Sequence, residues 1–279
     1  MVQINWKIKS LLYKFLSFFK LYKPLFFIQK KITKRSKIDF KDIVFYWDYH
    51  FKYLRENNSK KIIEIGAGKS LAQNIYLSYM FQGKVEQTLI DISKMIDLDL
   101  FNRANEQIAK ILDTNRLPFA KKIDDLKKNY NMIYLAPMGL DQISKKKIQY
   151  DACISSTTLE HIPKEELTEN FKLLKKIIKK EGIISAAIDY SDHYSHTDKN
   201  ISNLNYLKFN SSDWKKYNSP MFYQNRLRHQ DYRELFKSIG FKTFEIKGEL
   251  GQKPKLISKE FDINNQETLI LWGHFLLKQ

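Results

Sequence analysis

The chain has 279 residues, 43% hydrophobic and 14% aromatic, with a single cysteine, Cys153. That is enough apolar material for one large buried core, and it excludes a disordered chain and an intrachain disulfide; a reducing, cytoplasmic setting is expected. The net charge of +17 is unevenly placed, because residues 1–41 hold eleven Lys and Arg against one Asp and so carry +10 of it.

The first predicted element lies in this basic arm, residues 1–41. Its apolar residues are broken by lysines, with unbroken runs of four or five such as Leu25 to Ile28. A membrane-spanning helix needs about 20 apolar residues, so the arm does not span. Nor does it carry the apolar stretch and small-residue cleavage site of a secretory leader. The pattern predicts a helix from about Trp6 to Tyr22, stopped before Pro24. Two readings stand. In one the helix lies at the inner face of a membrane, contacting it through residues 1–37, with Trp6, Phe15, Phe18 and Phe19 dipping in and lysines meeting anionic headgroups. In the other it packs on the main domain, residues 42–279, as a lid. Nucleic acid is not expected, since a basic arm alone supports it poorly.

The stretch Lys61-Lys-Ile-Ile-Glu-Ile-Gly-Ala-Gly-Lys-Ser70 reads as a buried strand entering a glycine turn. A phosphate-binding P-loop would need Gly at position 63, which is Ile63. A dinucleotide fingerprint would need a third glycine at position 71, which is Leu71. What remains is Glu64-x-Gly66-x-Gly68. Two glycines let the backbone approach a ligand closely, and the carboxylate suits a cationic ligand group. Twenty-three residues after Gly68, Asp91 ends the apolar run Thr88-Leu89-Ile90, the place of a ribose-hydroxyl acceptor in such sheets.

Downstream, residues 131–137 fit a third strand. Tyr150 to Pro163 (YDACISSTTLEHIP) fits a fourth strand and turn, and Leu167 to Lys180 an amphipathic helix. Gly182 to Ile188 fits a fifth strand, Arg233 to Phe241 a helix, and Lys242 to Lys247 and Thr268 to Leu277 the last two strands. In this order and spacing the chain resembles the class I S-adenosylmethionine-dependent methyltransferases, and by Leu159-Glu-His-Ile162 their LEHI-motif (type 11) group. The resemblance covers roughly Lys60 to Lys278. It implies a three-layer, Rossmann-like α/β fold: a seven-stranded, mostly parallel sheet with helices on both faces, here preceded by the basic helical arm. It implies S-adenosyl-L-methionine as cofactor, bound by Glu64, Gly66, Ala67, Gly68, Asp91, Ile92, Ala136, Ser155 and Ser156. The chain departs from the family at Ser70, where a third glycine is frequent, at Glu181-Gly182, where Gly-Gly is usual, and at Ala136-Pro137-Met138, which lacks an Asp for adenine.

The acceptor side is expected in an insertion at about 189–230. Its segment Asp189-Tyr-Ser-Asp-His-Tyr-Ser-His-Thr-Asp198 is dense in His and Asp. It could supply a general base, with His193 leading and Asp192 orienting it. It could bind a divalent metal through Asp192, His193, His196 and Asp198, or be a polar loop without chemistry; no residue is assigned to a metal. His161 is a second candidate base, against a packing role under the turn. His196, Arg226 and Arg228 are candidates for holding the acceptor, the arginines by forking onto a phosphate or carboxylate. Residues 200–218, rich in Asn, Ser and aromatics, suit a sugar. The reading is methyl transfer to an acceptor hydroxyl on a sugar or on a lipid-linked or envelope glycan. Its rivals are a small-molecule or RNA methyltransferase and a membrane-attached protein that keeps the fold without catalysis. An NAD enzyme is disfavoured by Leu71 and by the lack of a Tyr-x-x-x-Lys pair after the fourth strand.

Overall fold

The structure is a computed structural model and describes residues 3–19, 21 and 44–279. The rest of the basic arm, including the expected stop at Pro24, lies outside the described residues. Helices α1 (Trp6–Phe18) and α2 (Val44–Glu56) precede β1 (Lys61–Ile65), α3 (Ala72–Met80), β2 (Glu86–Ile90), α4 (Leu98–Ile111), α5 (Asp124–Tyr130) and β3 (Met132–Leu135). There follow α6 (Leu140–Ser144), β4 (Tyr150–Ser156), α7 (Lys164–Ile177), β5 (Ile178–Asp189), α8 (Ser211–Trp214), α9 (His229–Ile239), β6 (Lys242–Lys247) and β7 (Trp272–Lys278).

The strands form a seven-stranded sheet in the order β3-β2-β1-β4-β5-β7-β6. Pairs from β3 to β5 are parallel, and β7 runs antiparallel between β5 and β6. The expected seven-stranded, mostly parallel sheet is what the chain builds. Its side chains alternate between two cores, as the two-residue strand period requires. Ile63, Ile65 and Cys153 point to the face covered by α6, α7 and α9, where Leu140, Phe171 and Phe236 pack. Ile62, Ala152 and Ile154 point to the face covered by α2 to α5, where Leu54, Ile75, Phe101 and Leu126 pack. Burying each such large aliphatic side chain stabilises by about 1.5–3 kcal/mol. β5 starts at Ile178, earlier than Gly182, because α7 runs straight into it; pairing with β4 is irregular between Tyr150 and Ala152.

A third apolar cluster sits beyond the carboxyl end of β5. It unites Tyr194, Leu204, Tyr206, Leu207 and Trp214 of the segment after β5 with Trp6 of α1. Trp6, expected to dip into lipid, is instead buried there. Its ring lies 4.6 Å from that of Tyr217, and its backbone N–H donates to Asp198 Oδ2 at 2.9 Å. Tyr13 stacks on Phe222, Ser10 Oγ donates to the Tyr217 carbonyl, and Lys9 Nζ donates to Thr197 Oγ1. One face of α1 thus packs on this cap. The other face leaves Phe15 56% and Phe18 80% exposed. Among the described residues no helix is long and apolar enough to cross a membrane.

Candidate active site

The glycine turn connects β1 to α3, at the carboxyl edge of the sheet. Gly66 and Gly68 take φ of +77° and +72°, a region that costs residues with a Cβ. They are glycine for different reasons. A Cβ on Gly66 would come within 2.3 Å of the Thr158 side chain, whereas one on Gly68 would meet nothing within 4 Å. The first glycine admits the β4 turn and the second faces open space. Asp91 closes the turn from the end of β2: Oδ2 accepts from Gly68 N at 3.3 Å and Oδ1 from Ser93 N at 3.0 Å. Burial raises the Asp91 pKa, against the hydrogen bonds from Ser93, Gly68 and Ile92. Ala67, half-buried in the turn, Ile92, 81% exposed, and Ala136 at the end of β3 border the same edge. Two non-glycine residues beside it, Leu71 and Thr157, also take positive φ, 48° and 46°. Backbone strain of this kind, about 1–3 kcal/mol each, concentrates where ligands are clamped.

Three of the expected cofactor residues point elsewhere. Glu64 is turned inward, its oxygens accepting from Gln73 Nε2 at 3.1 Å and from Asn74 Nδ2. Burial, opposed by the Asn74 hydrogen bond and reinforced by the Asp91 charge, pushes its pKa up to about 7. It fastens β1 to α3. Ser155 Oγ donates to the Ile65 carbonyl at 3.2 Å. Ser156 Oγ donates to Gln73 Oε1 at 2.6 Å and stands 2.8 Å from His50 Nε2. From there a buried relay continues, His50 Nδ1 to Ser185 Oγ at 2.8 Å and Ser185 Oγ to His274 Nε2 at 2.7 Å. Sequence reasoning missed this relay, because a lone His on α2 and another on β7 carry no local signal of meeting.

The acceptor-side candidates divide. His161 and His193 come together, ring centroids 4.9 Å apart, and His196 stacks on His193 at 5.2 Å. The carboxylate beside His193 is Asp189, not Asp192. His193 Nε2 lies 3.3 Å from Asp189 Oδ2, an ion-pair distance without the alignment of a hydrogen bond. Burial would raise the Asp189 pKa, but His193 and Ser191 hold it below the usual carboxylate value. The spacing of four residues between Asp189 and His193 was the available signal. Asp192 is buried and occupied by the Tyr194 N–H at 2.8 Å and Asn205 Nδ2 at 3.2 Å, so it shapes the loop. Asp198 caps α1 instead of joining the histidines.

The two arginines are also structural. Arg228 is buried, its guanidinium donating to the carbonyls of Tyr190 and Ile270 and to the Tyr206 hydroxyl. Arg226 donates to the carbonyls of Tyr206 and Phe209 and to Ser211 Oγ, with Glu260 at 3.5 Å. Neither fork is turned to an acceptor, because each is used to hold irregular backbone.

Two residues without an assigned role complete the site. Asn225 clasps the 159–162 turn, its side-chain amide donating to the carbonyls of Leu159 and Ile162 and its N–H to that of Glu160. Glu160 is 3% exposed, and neither carboxylate oxygen has a hydrogen-bond partner. The amides of Glu160 and Asp189 lie near without alignment, and burial, with the Asp189 charge, raises the Glu160 pKa well above its ordinary value. His161 Nδ1 faces the Tyr223 carbonyl at 2.7 Å. Nδ1 must therefore carry the hydrogen, which leaves Nε2 the lone pair. Although His161 and His196 expose surface, the atoms crowding each ring pull both pKa values down, with the His193 charge adding.

No protein-family model and no curated protein sequence matches the chain. Solved structures do. It is similar to the plantazolicin methyltransferase BpumL in complex with SAH, at 16% identity over 98% of this chain and 96% of that one, with a TM-score of 0.51. It is also similar to an S-adenosylmethionine-dependent methyltransferase from Clostridium acetobutylicum, at 12% identity over 92% and 98%, TM-score 0.46. A third match is the CurJ carbon methyltransferase, at 14% identity over 78% of this chain, TM-score 0.43; the chain spans about half the length of that protein, 48%. With the strand order above, the chain has the fold of the class I S-adenosylmethionine-dependent methyltransferases.

Proposed function

We propose that the chain is an S-adenosyl-L-methionine-dependent methyltransferase acting on an acceptor hydroxyl. The observation that carries this reading is the glycine turn, open at Gly68 and tied to Asp91 at the end of β2. The donor set fits the cofactor: a carboxylate for ribose hydroxyls, exposed Ile92 and partly buried Ala136 for the base, and no basic P-loop pattern for a polyphosphate. The bound cofactor supplies an electrophilic methyl group on a sulfonium. The chain's part is to align the acceptor with it, and for an oxygen acceptor to take a proton. His193 is the proton acceptor in this reading, with Asp189 at 3.3 Å balancing the imidazolium. His161 and His196 border the acceptor.

The arm supports an acceptor class. α1 shows Ile8, Leu11, Leu12, Phe15 and Phe18 to solvent while its other face holds the cap. The strongly basic arm complements an anionic lipid surface. This supports peripheral membrane contact and an acceptor presented there, a lipid-linked or envelope sugar. The test is calorimetric titration with S-adenosylmethionine, S-adenosylhomocysteine, NAD and ATP. Micromolar binding of the two adenosyl ligands alone, weakened at least tenfold by Asp91→Ala, supports the reading. Binding of NAD or ATP instead, or of none by folded protein, overturns it.

A further inference from the structure

We propose that Glu160, His161 and His193 bind a divalent cation of the zinc class. Among the described residues these three offer one donor atom each, all within 4.8 Å of one another. Nearness of acids and histidines is common, and it is the state of Glu160 that points to a ligand. Both its oxygens are buried without a partner. A buried carboxylate is costly unless paired or bound to a metal, and among the described residues no aligned hydrogen bond or ion pair satisfies this one. Its backbone is meanwhile fixed by Asn225, whose N–H donates to the Glu160 carbonyl at 2.9 Å.

The histidines are prepared in the way a metal site prepares them. The Tyr223 carbonyl holds the His161 hydrogen on Nδ1, which presents Nε2 as a lone pair. Asp189 stands beside His193, the place of a second carboxylate that orients a metal-bound imidazole. Zinc bonds to His nitrogen and carboxylate oxygen are about 2.0–2.2 Å, which puts ligand atoms roughly 3–3.5 Å apart. Small rotations of the His161 and His193 side chains, neither of them fully buried, bring the set to that spacing. Two nitrogens and one carboxylate suit zinc or ferrous iron better than magnesium or calcium.

Three protein ligands leave a coordination position open. The consequence rests on the methyltransferase reading, though the site itself does not. An acceptor hydroxyl in the open position loses its proton to solvent more readily. Its oxygen lone pair then forms the new O–C bond as the C–S bond of the sulfonium breaks and sulfur keeps the electron pair. His193 is then a ligand, and the cation takes over the base's task.

The test uses the full untagged chain, stripped with chelator, dialysed and titrated with Zn²⁺ in the calorimeter. One equivalent should bind with micromolar or tighter affinity. Glu160→Gln and, at an exposed ring, His161→Ala should each weaken it at least tenfold with unfolding temperature little changed. No binding by stripped wild-type protein, or equal affinity in wild type and both variants, overturns the proposal. S-adenosylhomocysteine titrated into the same stripped sample separates the two readings. Its binding without zinc binding removes the cation alone, and zinc binding without it removes the methyltransferase reading alone.

Discussion

Around β5 the chain arranges five of its six histidines in two groups. His50 and His274 sit between α2 and the inner strands of the sheet on either side of Ser185, buried, in a relay that runs through Ser156 and Gln73 to Glu64. His161, His193 and His196 gather past the carboxyl end of β5, His161 and His196 exposed and His193 largely covered between them, against a buried Glu160 with no partner. The side chains are the same, but three of the four ring nitrogens of the first group are hydrogen-bonded, whereas His193 Nε2 and both Glu160 oxygens of the second are not. The first group spends both His50 nitrogens and His274 Nε2 on the fold, leaving His274 Nδ1 without a partner, and so fixes α2 to the sheet. The second group leaves a carboxylate and ring nitrogens unspent, which evolution tolerates where a ligand completes them.

The largest way to break this comparison is by truncation. His50→Ala removes a buried ring and strands Ser156 and Ser185; a loss of about 2–4 kcal/mol is expected in urea unfolding. His193→Ala, at a side chain 11% exposed, should cost less than His50→Ala, about 1–2 kcal/mol, yet lower methyl transfer by roughly 100-fold or more, the scale of a lost proton acceptor or ligand. Equal stability losses at the two positions would erase the distinction.

Acid sharpens it. Burial lowers the pKa of His50, with the His274 charge adding, and burial lowers that of His274 from 6.5 to about 3. An unfolded chain takes up a proton on His274 near pH 6.5, while the folded chain refuses it until about pH 3. The unfolded state binds more protons across that window, so this stability is complete above pH 6.5 and is lost as pH falls. By pH 5 the loss at His274 is about 2 kcal/mol. Glu64 and Asp192, raised by burial to about 7 and about 6, act in the opposite sense. The readout is therefore the difference: His274→Gln should flatten the fall in stability between pH 7 and pH 5 relative to wild type, by about 2 kcal/mol.

The two groups also mark how far the sequence could be read. The glycine turn, Asp91 and the sheet were legible, because spacing and strand alternation are local signals with one dominant solution. Asp189 beside His193 was within reach through its spacing of four residues, yet Asp192 looked equally good until the loop turned it onto Tyr194 and Asn205. Arg226 and Arg228 failed as acceptor ligands for a related reason. Their partners are carbonyls of Tyr206, Phe209, Tyr190 and Ile270, brought to them by tertiary folding that no short pattern encodes. Glu160 was visible as a letter in a motif, but a missing partner has no sequence signature at all.

The same contrast of spent and unspent surface runs along α1, where the expected effect on stability is smallest. Trp6, Ser10 and Tyr13 are consumed by the cap, through Tyr217, Asp198 and Phe222. Ile8, Leu11, Phe15 and Phe18, a helical turn away, are between 56% and 80% exposed. Residues spaced three and four apart on the outer side form one apolar stripe, and the arm's lysines carry charge to match an anionic surface. Serine at Phe15 and Phe18 together removes no buried contact, so unfolding should change by less than about 0.5 kcal/mol. Sedimentation with vesicles containing phosphatidylglycerol should nevertheless fall at least tenfold, while Trp6→Ala should loosen the cap and lower stability. Undiminished vesicle binding by the double variant would assign the stripe to another occupant. In that case α1 would serve the cap alone, and the case for an acceptor at a membrane would lose its support.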